Sequence, residues 1–578
     1  MLKKYKKSYF VNSVYKNINK KYNRCMIEKN TIMSPMQIWH DFNPVSTDTE
    51  VSIINLATEN DVVTTEIMFT ASEVNDGKIR AYMKYSKKID APSDAPVILV
   101  IHGINYNIEK EVIDNIINKN MIYATFDFAG VNDKHTEYPN SVYYGNFESI
   151  KNIIDVSNGP KQTCWYLWDV IARRVITVLN EQLDNPKICL VGVGLGANIG
   201  WQVAGMDGRI SAFIAINGDG YIENLDEYLK PVKKDDYPTA WLAGLAPQSY
   251  AKYISCPILY VGGSNNANSN VDKISEILGL SPSENKYMSI CHNAENKITL
   301  EAFNTIEIWT KEFFLGDANK IEKTEVSFSN SGDRLYLNVK TNQEDVEKIT
   351  ILVSTKEKNN DIREWKQISK YTALNNGEYV VPLELESTED IVYCYVNTYY
   401  TSGLVLSSKL ISIVPSELEI TDANIVQKVP TRIVYNTSME DDYFYGENES
   451  FVFDRNKIIK KEGAFGVKGI GLDGGGSLYT FRVGNQKFRD NIGATLKMDA
   501  YTTIDTTIDI VVYNLEDGEL VPYQVAVFLG ECDKWQQIEL TDIEFKNYEM
   551  ISLDGFSDIK KIELKNIGSV IFNNIIWV

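Results

Sequence analysis

The fold is most clearly indicated by one stretch, Leu190-Val191-Gly192-Val193-Gly194-Leu195-Gly196-Ala197. An apolar, β-branched run, Ile188–Val193, passes into closely spaced glycines, and the residues from Ala197 onward continue as a helix would. Glycine is the residue that permits a turn too tight for side chains. The stretch therefore predicts a buried strand, a sharp turn and a helix, which is the repeating unit of a parallel α/β sheet.

The sequence on both sides of this stretch repeats the same alternation. Between Val97 and Gly316, short apolar runs are separated by longer amphipathic segments, as parallel strands are separated by crossover helices. One such segment has apolar residues at helical spacing, namely Trp165, Trp168, Ala172, Val175 and Leu179. Further strands of the sheet are predicted at Val97–Ile101, Ile122–Phe128, Ala212–Ile216 and Ile258–Val261.

The turn has the pattern of a nucleophile elbow, G-x-S-x-G, with Gly194 in the position of the serine. In such an elbow the serine occupies a strained strand-to-helix turn that exposes its hydroxyl. Gly194 relieves that strain and removes the nucleophile. A dinucleotide-binding loop is an alternative interpretation, but it requires G-x-G-x-x-G in an opening βαβ unit, whereas this turn comes late in the series of strands.

Several short motifs occur together in one order along the chain. They are Ile38–Phe42, His102-Gly103, Tyr138–Ser141 with Gly145-Asn146, Ala172–Arg174, Val203–Asp207, Arg363–Trp365 and Ser402–Val405 with Ser407-Ser408. In this combination the chain resembles the acetyl xylan esterase and dienelactone-hydrolase-like branch of the α/β-hydrolase superfamily. The resemblance extends over about residues 34–415 and implies an α/β-hydrolase domain followed by a β-domain.

The same resemblance implies where the rest of a catalytic triad would lie. The family's acid ends a G-[ST]-N-D stretch, and Asn266 occupies that place in Gly263-Ser264-Asn265-Asn266. The family's histidine precedes the final helix, where this chain has Asn296. His102 and Gly103 match the oxyanion-hole turn. We therefore expect a pseudoenzyme with no intact catalytic residues.

The sequence allows one other arrangement of residues that could make the chain catalytically active. His292 lies close to Asn296 and could serve as a base oriented by Asp272, with Ser264 or a water molecule as nucleophile. That arrangement would make the chain an esterase or deacetylase acting on an acetylated polysaccharide through a non-standard nucleophile. The other histidines, His40 and His135, are expected in solvated loops.

The chain is too long for one core and is predicted to form several domains. After Gly316 the pattern changes to closely spaced alternating strands with Asn and Gly turns, which is typical of β-sandwiches. We expect a basic N-terminal tail at residues 1–33, an α/β-hydrolase-like domain at 34–318, an Ig-like or fibronectin-like β-sandwich at 319–415, and a jelly-roll, carbohydrate-binding-module-like sandwich at 416–578.

The last sandwich is the expected ligand-binding unit. Tyr443, Phe444 and Tyr445 cluster near its start and could stack on a polysaccharide, although aromatics on strands more often pack inward. The expected partners are polysaccharide or other proteins of a bacterial surface layer. Because the basic start of the chain lacks the apolar run of a signal peptide, we expect cytoplasmic synthesis, followed either by deposition in a spore coat or cell-surface layer or by residence in the cytoplasm.

Composition excludes several other classes of function. The net charge of −20 argues against nucleic acid as a partner, because phosphates are bound by clustered Lys and Arg. No run of apolar residues reaches the roughly 20 needed to span a bilayer. The 7 cysteines are scattered without a CxxC pair, and no HxH or HExxH motif is present, so neither a disulfide framework nor a metal or cofactor site is predicted.

Overall fold

The computed structural model describes residues 32–103, 119–130, 136–145, 153–221, 239–316, 321–342, 344–368, 372–373, 377–421, 425–426, 431–439, 444–447, 450–453, 458–484, 493–516 and 518–578. Residues 1–31 of the predicted tail, His135 and Tyr443 lie outside this range. The chain divides into two compact units. The first comprises residues 1–260, 276–286 and 311–320, and the second comprises 261–275, 287–310 and 321–578.

A nine-stranded mixed sheet organises the first half of the chain. Its strands are β1 (Ser52–Glu59), β2 (Val62–Val74), β3 (Gly77–Lys88), β4 (Val97–Ile101), β5 (Ile122–Phe126), β6 (Ile188–Val193), β7 (Ile210–Ile216), β8 (Ile258–Gly263) and β9 (Lys286–Cys291). They lie in the order β1-β2-β3-β5-β4-β6-β7-β8-β9. The pairs β4–β5, β4–β6 and β6–β7 are parallel, and every residue of β4 and β6 is buried. The predicted α/β sheet is therefore confirmed.

The described part of the chain contains six α-helices, of which α2 to α5 lie between strands of this sheet. They are α1 (Pro35–Trp39), α2 (Cys164–Gln182), α3 (Leu195–Met206), α4 (Thr239–Gly244), α5 (Val271–Leu280) and α6 (Leu300–Trp309). The predicted crossover helix is α2. Its N-cap is Thr163, whose hydroxyl accepts a hydrogen bond from the Tyr166 amide, as serine and threonine caps do.

A short strand, β10 (Ile298–Thr299), comes directly before α6, and residues after α6 form several antiparallel sheets. The strands that follow α6 are β11 (Glu325–Ser331), β12 (Arg334–Lys340), β13 (Val346–Thr355), β14 (Lys366–Ile368), β15 (Thr372–Ala373), β16 (Glu378–Pro382), β17 (Val392–Tyr400), β18 (Val405–Ser407) and β19 (Ile411–Ile413). One sheet has the order β11-β12-β16-β15, and another has β14-β13-β17-β18 with β19 beside β17. Leu337 and Val381 of the first sheet pack in one core with Ile351 and Val396 of the second.

The remaining strands form a second pair of sheets. They are β20 (Ile433–Tyr435), β21 (Tyr445–Glu447), β22 (Val452–Phe453), β23 (Ile458–Glu462), β24 (Lys468–Leu472), β25 (Ser477–Thr480), β26 (Leu496–Tyr501), β27 (Thr506–Glu516), β28 (Glu519–Leu529), β29 (Gln536–Leu540), β30 (Ile559–Lys565) and β31 (Ile571–Trp577). The sheets run β23-β24-β31-β26-β29, with β20 beside β31, and β21-β25-β30-β27-β28. Strand β22 instead pairs in parallel with β10. Both sheets contribute to one apolar core.

Candidate functional site

The elbow predicted from the sequence is present between β6 and α3. Gly194 is the N-cap of α3, with φ +56° and ψ −120°, a region of backbone conformation that L side chains rarely adopt. Its amide donates a hydrogen bond of 2.8 Å to the Ile216 carbonyl. A Cβ placed on Gly194 would meet no atom within 4 Å. The turn thus keeps the strained geometry and the open space of an elbow, but presents no side chain.

Neighbouring glycines are required here by close backbone packing. A Cβ on Gly196 would clash with the Ile101 carbonyl and lie 2.6 Å from the His102 carbonyl. A Cβ on Gly192 would clash with the backbone of Ala197, and one on Gly218 would lie 2.7 Å from the Gly194 carbonyl. The start of α3 therefore rests directly on the turn after β4.

His102 and Gly103, the predicted oxyanion turn, follow β4 at this contact. The Nδ1 atom of His102 is buried and has no hydrogen-bond partner among the described residues. Burial, assisted by the positive charge of Lys84, lowers the pKa of His102 to about 4. The imidazole is neutral at pH 7, and with this pKa it is a weak base, since general bases work best with a pKa near the operating pH.

The predicted acid position, in the second compact unit, holds a buried amide. The side-chain oxygen of Asn266 accepts a hydrogen bond of 2.8 Å from the Asn268 amide, and its carbonyl accepts one of 2.8 Å from the Asn360 side chain. The adjacent Asn265 side chain donates to the Arg363 carbonyl at 2.7 Å. Asn266 therefore shapes its own turn and supplies no negative charge.

Ser264, proposed as a substitute nucleophile, is completely buried. Its hydroxyl donates to the side-chain oxygen of Asn265 at 2.7 Å and accepts from the Asn293 amide at 2.8 Å. The hydroxyl is thus engaged on both sides in holding two segments of backbone together. These contacts do not favour a nucleophilic role.

Asp272, proposed as the acid that orients His292, instead binds Arg363. Its two carboxylate oxygens accept hydrogen bonds of 2.6 and 2.7 Å from the two terminal nitrogens of that guanidinium. The Arg363 side chain is fully buried, donates to the carbonyls of Glu357 and Lys358, and lies 3.7 Å from the centroid of the Tyr393 ring. Both oxygens of Asp272 are therefore committed to a structural ion pair.

The segment after β9 carries His292, which is half-buried, and Asn296, which is exposed. Between them, the Asn293 side chain donates to the Trp365 carbonyl at 2.8 Å and accepts from the Trp365 amide at 3.0 Å. The Tyr479 hydroxyl lies 2.8 Å from the Asn293 carbonyl and donates to it. This segment is consequently attached to both sets of antiparallel sheets.

A buried charge cluster, missed by the sequence analysis, lies beside the same segment. Lys561 on β30 is 2% exposed and donates to Glu295, with Glu563 at 3.4 Å. Burial alone would lower the pKa of Lys561, but the two carboxylates outweigh burial and raise it. Burial and the charge of Glu295 also raise the pKa of Glu447, whose carboxylate lies 3.1 Å from the Tyr479 hydroxyl. Every residue of β30 except the last is buried. This burial could not be predicted from the sequence, because the strand contains several Lys and Glu residues.

Two of the three predicted sugar-binding aromatics, Phe444 and Tyr445, lie in the described residues, and neither is an exposed side chain. Phe444 is 2% exposed, and its ring packs 5.2 Å from the ring of Tyr435 in the core of the last pair of sheets. Tyr445 is half-buried against Tyr479. The proposal for Phe444 is therefore wrong, because alternation along the chain turns this ring inward. Tyr443 lies outside the described residues.

The described residues contain neither a cluster of metal ligands nor a membrane-spanning helix. No group of three or more His, Cys, Asp or Glu side chains in this part of the chain could hold a metal ion. No helix within the same ranges combines the length and the apolar character needed to cross a membrane.

Comparisons with known proteins return esterases at low similarity. Acetyl xylan esterase from Paenibacillus sp. R4 is 11% identical, with a TM-score of 0.37 over 47% of this chain and 90% of that chain. Acetyl xylan esterase 1 from Thermoanaerobacterium sp. JW/SL YS485 is 12% identical, with a TM-score of 0.38, and the match covers 51% of this chain and 97% of that esterase. Glucuronoyl esterase from Solibacter usitatus is 10% identical, with a TM-score of 0.32, and the match covers 47% of this chain and 87% of that esterase.

These solved structures are acetyl xylan esterases and a related esterase, which have the α/β-hydrolase fold. No protein-family model and no curated protein matches the chain. At these identities the similarity transfers neither activity nor substrate to this chain.

Proposed function

We propose that this protein is a pseudo-hydrolase, which keeps a hydrolase-type sheet as a scaffold and has a binding or structural role. The observation that carries the proposal is the elbow itself. Gly194 holds the backbone conformation of the turn, and open space surrounds the place of a side chain. A hydrolase of this type would present its nucleophilic oxygen at that position.

The chemistry explains why the missing groups matter. Acyl transfer at an elbow needs an oxygen nucleophile, a base with a pKa near neutrality, and a carboxylate that orients the base. Gly194, Asn266 and Asn296 supply none of these. When such a triad is removed, binding and an oxyanion hole leave a residual acceleration of about 10³ to 10⁴ over water, far below useful turnover.

Contacts in the second unit support the same proposal. The substitute nucleophile Ser264 is buried and hydrogen-bonded on both sides, and Asp272 is paired through both oxygens with Arg363. An esterase of non-standard mechanism would have to break these contacts before either residue could act. The alternative function therefore requires a rearrangement that costs stabilising interactions.

Hydrolysis of p-nitrophenyl acetate and acetylated xylan tests the proposal. We expect no turnover by the wild-type protein above the level of a His40→Ala variant, which removes an exposed histidine and controls for background hydrolysis. Gly194→Ser should also be inactive, because no base or acid accompanies the new hydroxyl. The proposal would be refuted if the wild-type protein hydrolysed either ester, the His40→Ala variant kept that activity and the His292→Ala variant lost it.

We further propose the finer architecture and location suggested by the sequence. The two pairs of sheets are an Ig-like sandwich at residues 319–415 and a jelly-roll sandwich at 416–578, and the protein is deposited in a spore coat or other cell-surface layer, where polysaccharide or other layer proteins are its partners. Sheets that share one core in each region support the sandwiches. Fluorescence localisation of a tagged copy through growth and sporulation tests the location. A diffuse cytoplasmic signal at every stage would contradict it.

A further inference from the structure

An exposed aromatic ring is held in an unfavourable backbone conformation at one end of the last pair of sheets. Phe465 lies in the turn between β23 and β24, with φ +61° and ψ +21°, and is 88% exposed. The next residue, Gly466, has φ +72°. Two successive residues with positive φ define a type I′-like turn, which favours Asn-Gly or Gly-Gly. A bulky aromatic residue is a costly choice at this position.

Two further aromatic rings lie beside this turn. The Trp535 indole nitrogen donates a hydrogen bond of 3.2 Å to the Ala464 carbonyl. The Tyr501 ring lies 5.7 Å from the Trp535 ring, centroid to centroid. Both residues are half-buried. We call Phe465, Tyr501 and Trp535 the aromatic platform.

Glycines form the surface against which two of the three rings, Tyr501 and Trp535, pack. A Cβ on Gly463 would lie 2.8 Å from the Trp535 ring and 3.1 Å from the Tyr501 ring, and one on Gly469 would also lie 2.8 Å from Trp535. The indole and the phenol thus lie close against bare backbone, which fixes them in place. Phe465, in contrast, projects from the same turn without burial.

The charges around the platform limit what it can bind. Loops 502–505 and 530–535 are joined by a hydrogen bond of 2.7 Å from the Glu531 amide to Asp505. With the β23–β24 hairpin, they carry acidic Glu462, Asp505, Glu531 and Asp533 and basic Lys460, Lys461, Lys468 and Lys534. The two signs of charge are equal in number, which favours neither an anionic nor a cationic ligand, and the net charge of −20 disfavours a second copy of the chain.

We propose that the aromatic platform binds a neutral polysaccharide. The fixed rings of Tyr501 and Trp535 give the apolar faces of sugar rings a contact area at little cost in side-chain entropy, the exposed ring of Phe465 adds to that area, and the surrounding carboxylates can accept hydrogen bonds from sugar hydroxyls. Retention of the strained Phe465 is explained by this role, because strained residues persist where the strained conformation serves binding. The inference deepens the proposed binding function but does not depend on the elbow.

Affinity electrophoresis of the full chain in gels containing arabinoxylan, barley β-glucan or glycol chitin tests the proposal. We expect wild-type protein to be retarded in at least one of them, and Phe465→Gly to lose about tenfold or more in affinity, as at a binding hot spot. Because Phe465→Gly relieves the positive φ, a loss of binding at unchanged or higher thermal stability cannot be ascribed to misfolding. Trp535→Ala should show the same loss of affinity.

Tyr548 provides the matched control. It is 84% exposed on another loop of the same region, so Tyr548→Ala should retain wild-type retardation. Absence of retardation in all three gels, or an equal loss in Tyr548→Ala and Phe465→Gly, would overturn the proposal. So would sedimentation with phosphatidylcholine vesicles that depends on Phe465 without any retardation by polysaccharide. Each of these results is independent of whether the elbow hydrolyses esters.

Discussion

Arg363 and Asp272 form a two-pronged ion pair in which an arginine with no exposed side-chain surface holds a carboxylate 91 positions away in sequence. The pair connects α5 to the segment between β13 and β14. The buried guanidinium of Arg363 is hydrogen-bonded to the Asp272 carboxylate and to two backbone carbonyls in place of water. The stability of this region therefore depends on retaining the negative partner.

Asp272→Asn should strongly destabilise the protein. It removes the counter-charge but leaves the guanidinium buried, which costs roughly 3 kcal/mol or more in the free energy of unfolding. Asp41→Asn is the matched control, because the pair of Asp41 and Lys161 is partly exposed and such pairs contribute at most about 1 kcal/mol. Urea denaturation measures both. Equal effects of the two substitutions would show that the buried pair adds nothing.

Gly194→Ser and Gly196→Ser should differ sharply in stability. The new side chain at position 194 enters open space and costs about 1 to 3 kcal/mol for its strained backbone angles. At position 196 the Cβ would meet the backbone carbonyls of Ile101 and His102, which must move apart. We expect Gly194→Ser to remain folded and Gly196→Ser to be poorly soluble or to melt far lower by circular dichroism. Similar melting temperatures would contradict the backbone packing described.

His102 should contribute to acid destabilisation. Its pKa is lowered from 6.5 to about 4 by burial and by Lys84, so the native state binds fewer protons than the unfolded state between these values. Stability is then lost as pH falls from about 6.5 to about 4, by at most about 1.4 kcal/mol per pH unit. His102→Gln should flatten the pH dependence of urea denaturation in this window, whereas His40→Gln should not. Parallel curves for wild type and His102→Gln would refute the assignment.

Glu447→Gln should stabilise the protein at neutral pH. Burial and the charge of Glu295 raise the pKa of Glu447, so its ionisation as pH rises above about 4.5 disfavours the native state. The amide keeps an oxygen for the Tyr479 hydroxyl and carries no charge. We expect Glu447→Gln to be more stable than wild type in urea denaturation at pH 7 and to lose that advantage below about pH 4. Glu549→Gln, at an exposed position, should have no such pH-dependent effect.

The sequence predicted the central sheet well because its strands are continuous apolar runs. Val97–Ile101 and Ile188–Val193 have the predicted limits, and the predicted amphipathic helix is α2. Strand β1 could not be predicted, since all its residues are exposed and it has no apolar alternation. The elbow was predicted because its three glycines alternate within one pentapeptide, Gly192 to Gly196.

Contacts between distant residues could not be inferred from one sequence. Asn293 and Trp365 are 72 positions apart, and Tyr479 is 186 positions from Asn293, so nothing local marks them as partners. Phe465 gave no signal because Ala-Phe-Gly resembles an ordinary turn, and only the backbone angles reveal its strain. Phe444 was misassigned because an aromatic cluster in sequence does not specify which ring faces the core.

Asn293 is hydrogen-bonded to Trp365 on one side and to Tyr479 on the other, which limits how the protein could be shortened or recombined. Truncation after residue 415 would remove Tyr479, which donates to the Asn293 carbonyl, and Lys561, which donates to Glu295. The regions before and after residue 415 are therefore poor candidates for separate transfer to other proteins. A protein truncated at this residue should regain its full resistance to proteolysis only when the missing strands are added as a separate polypeptide.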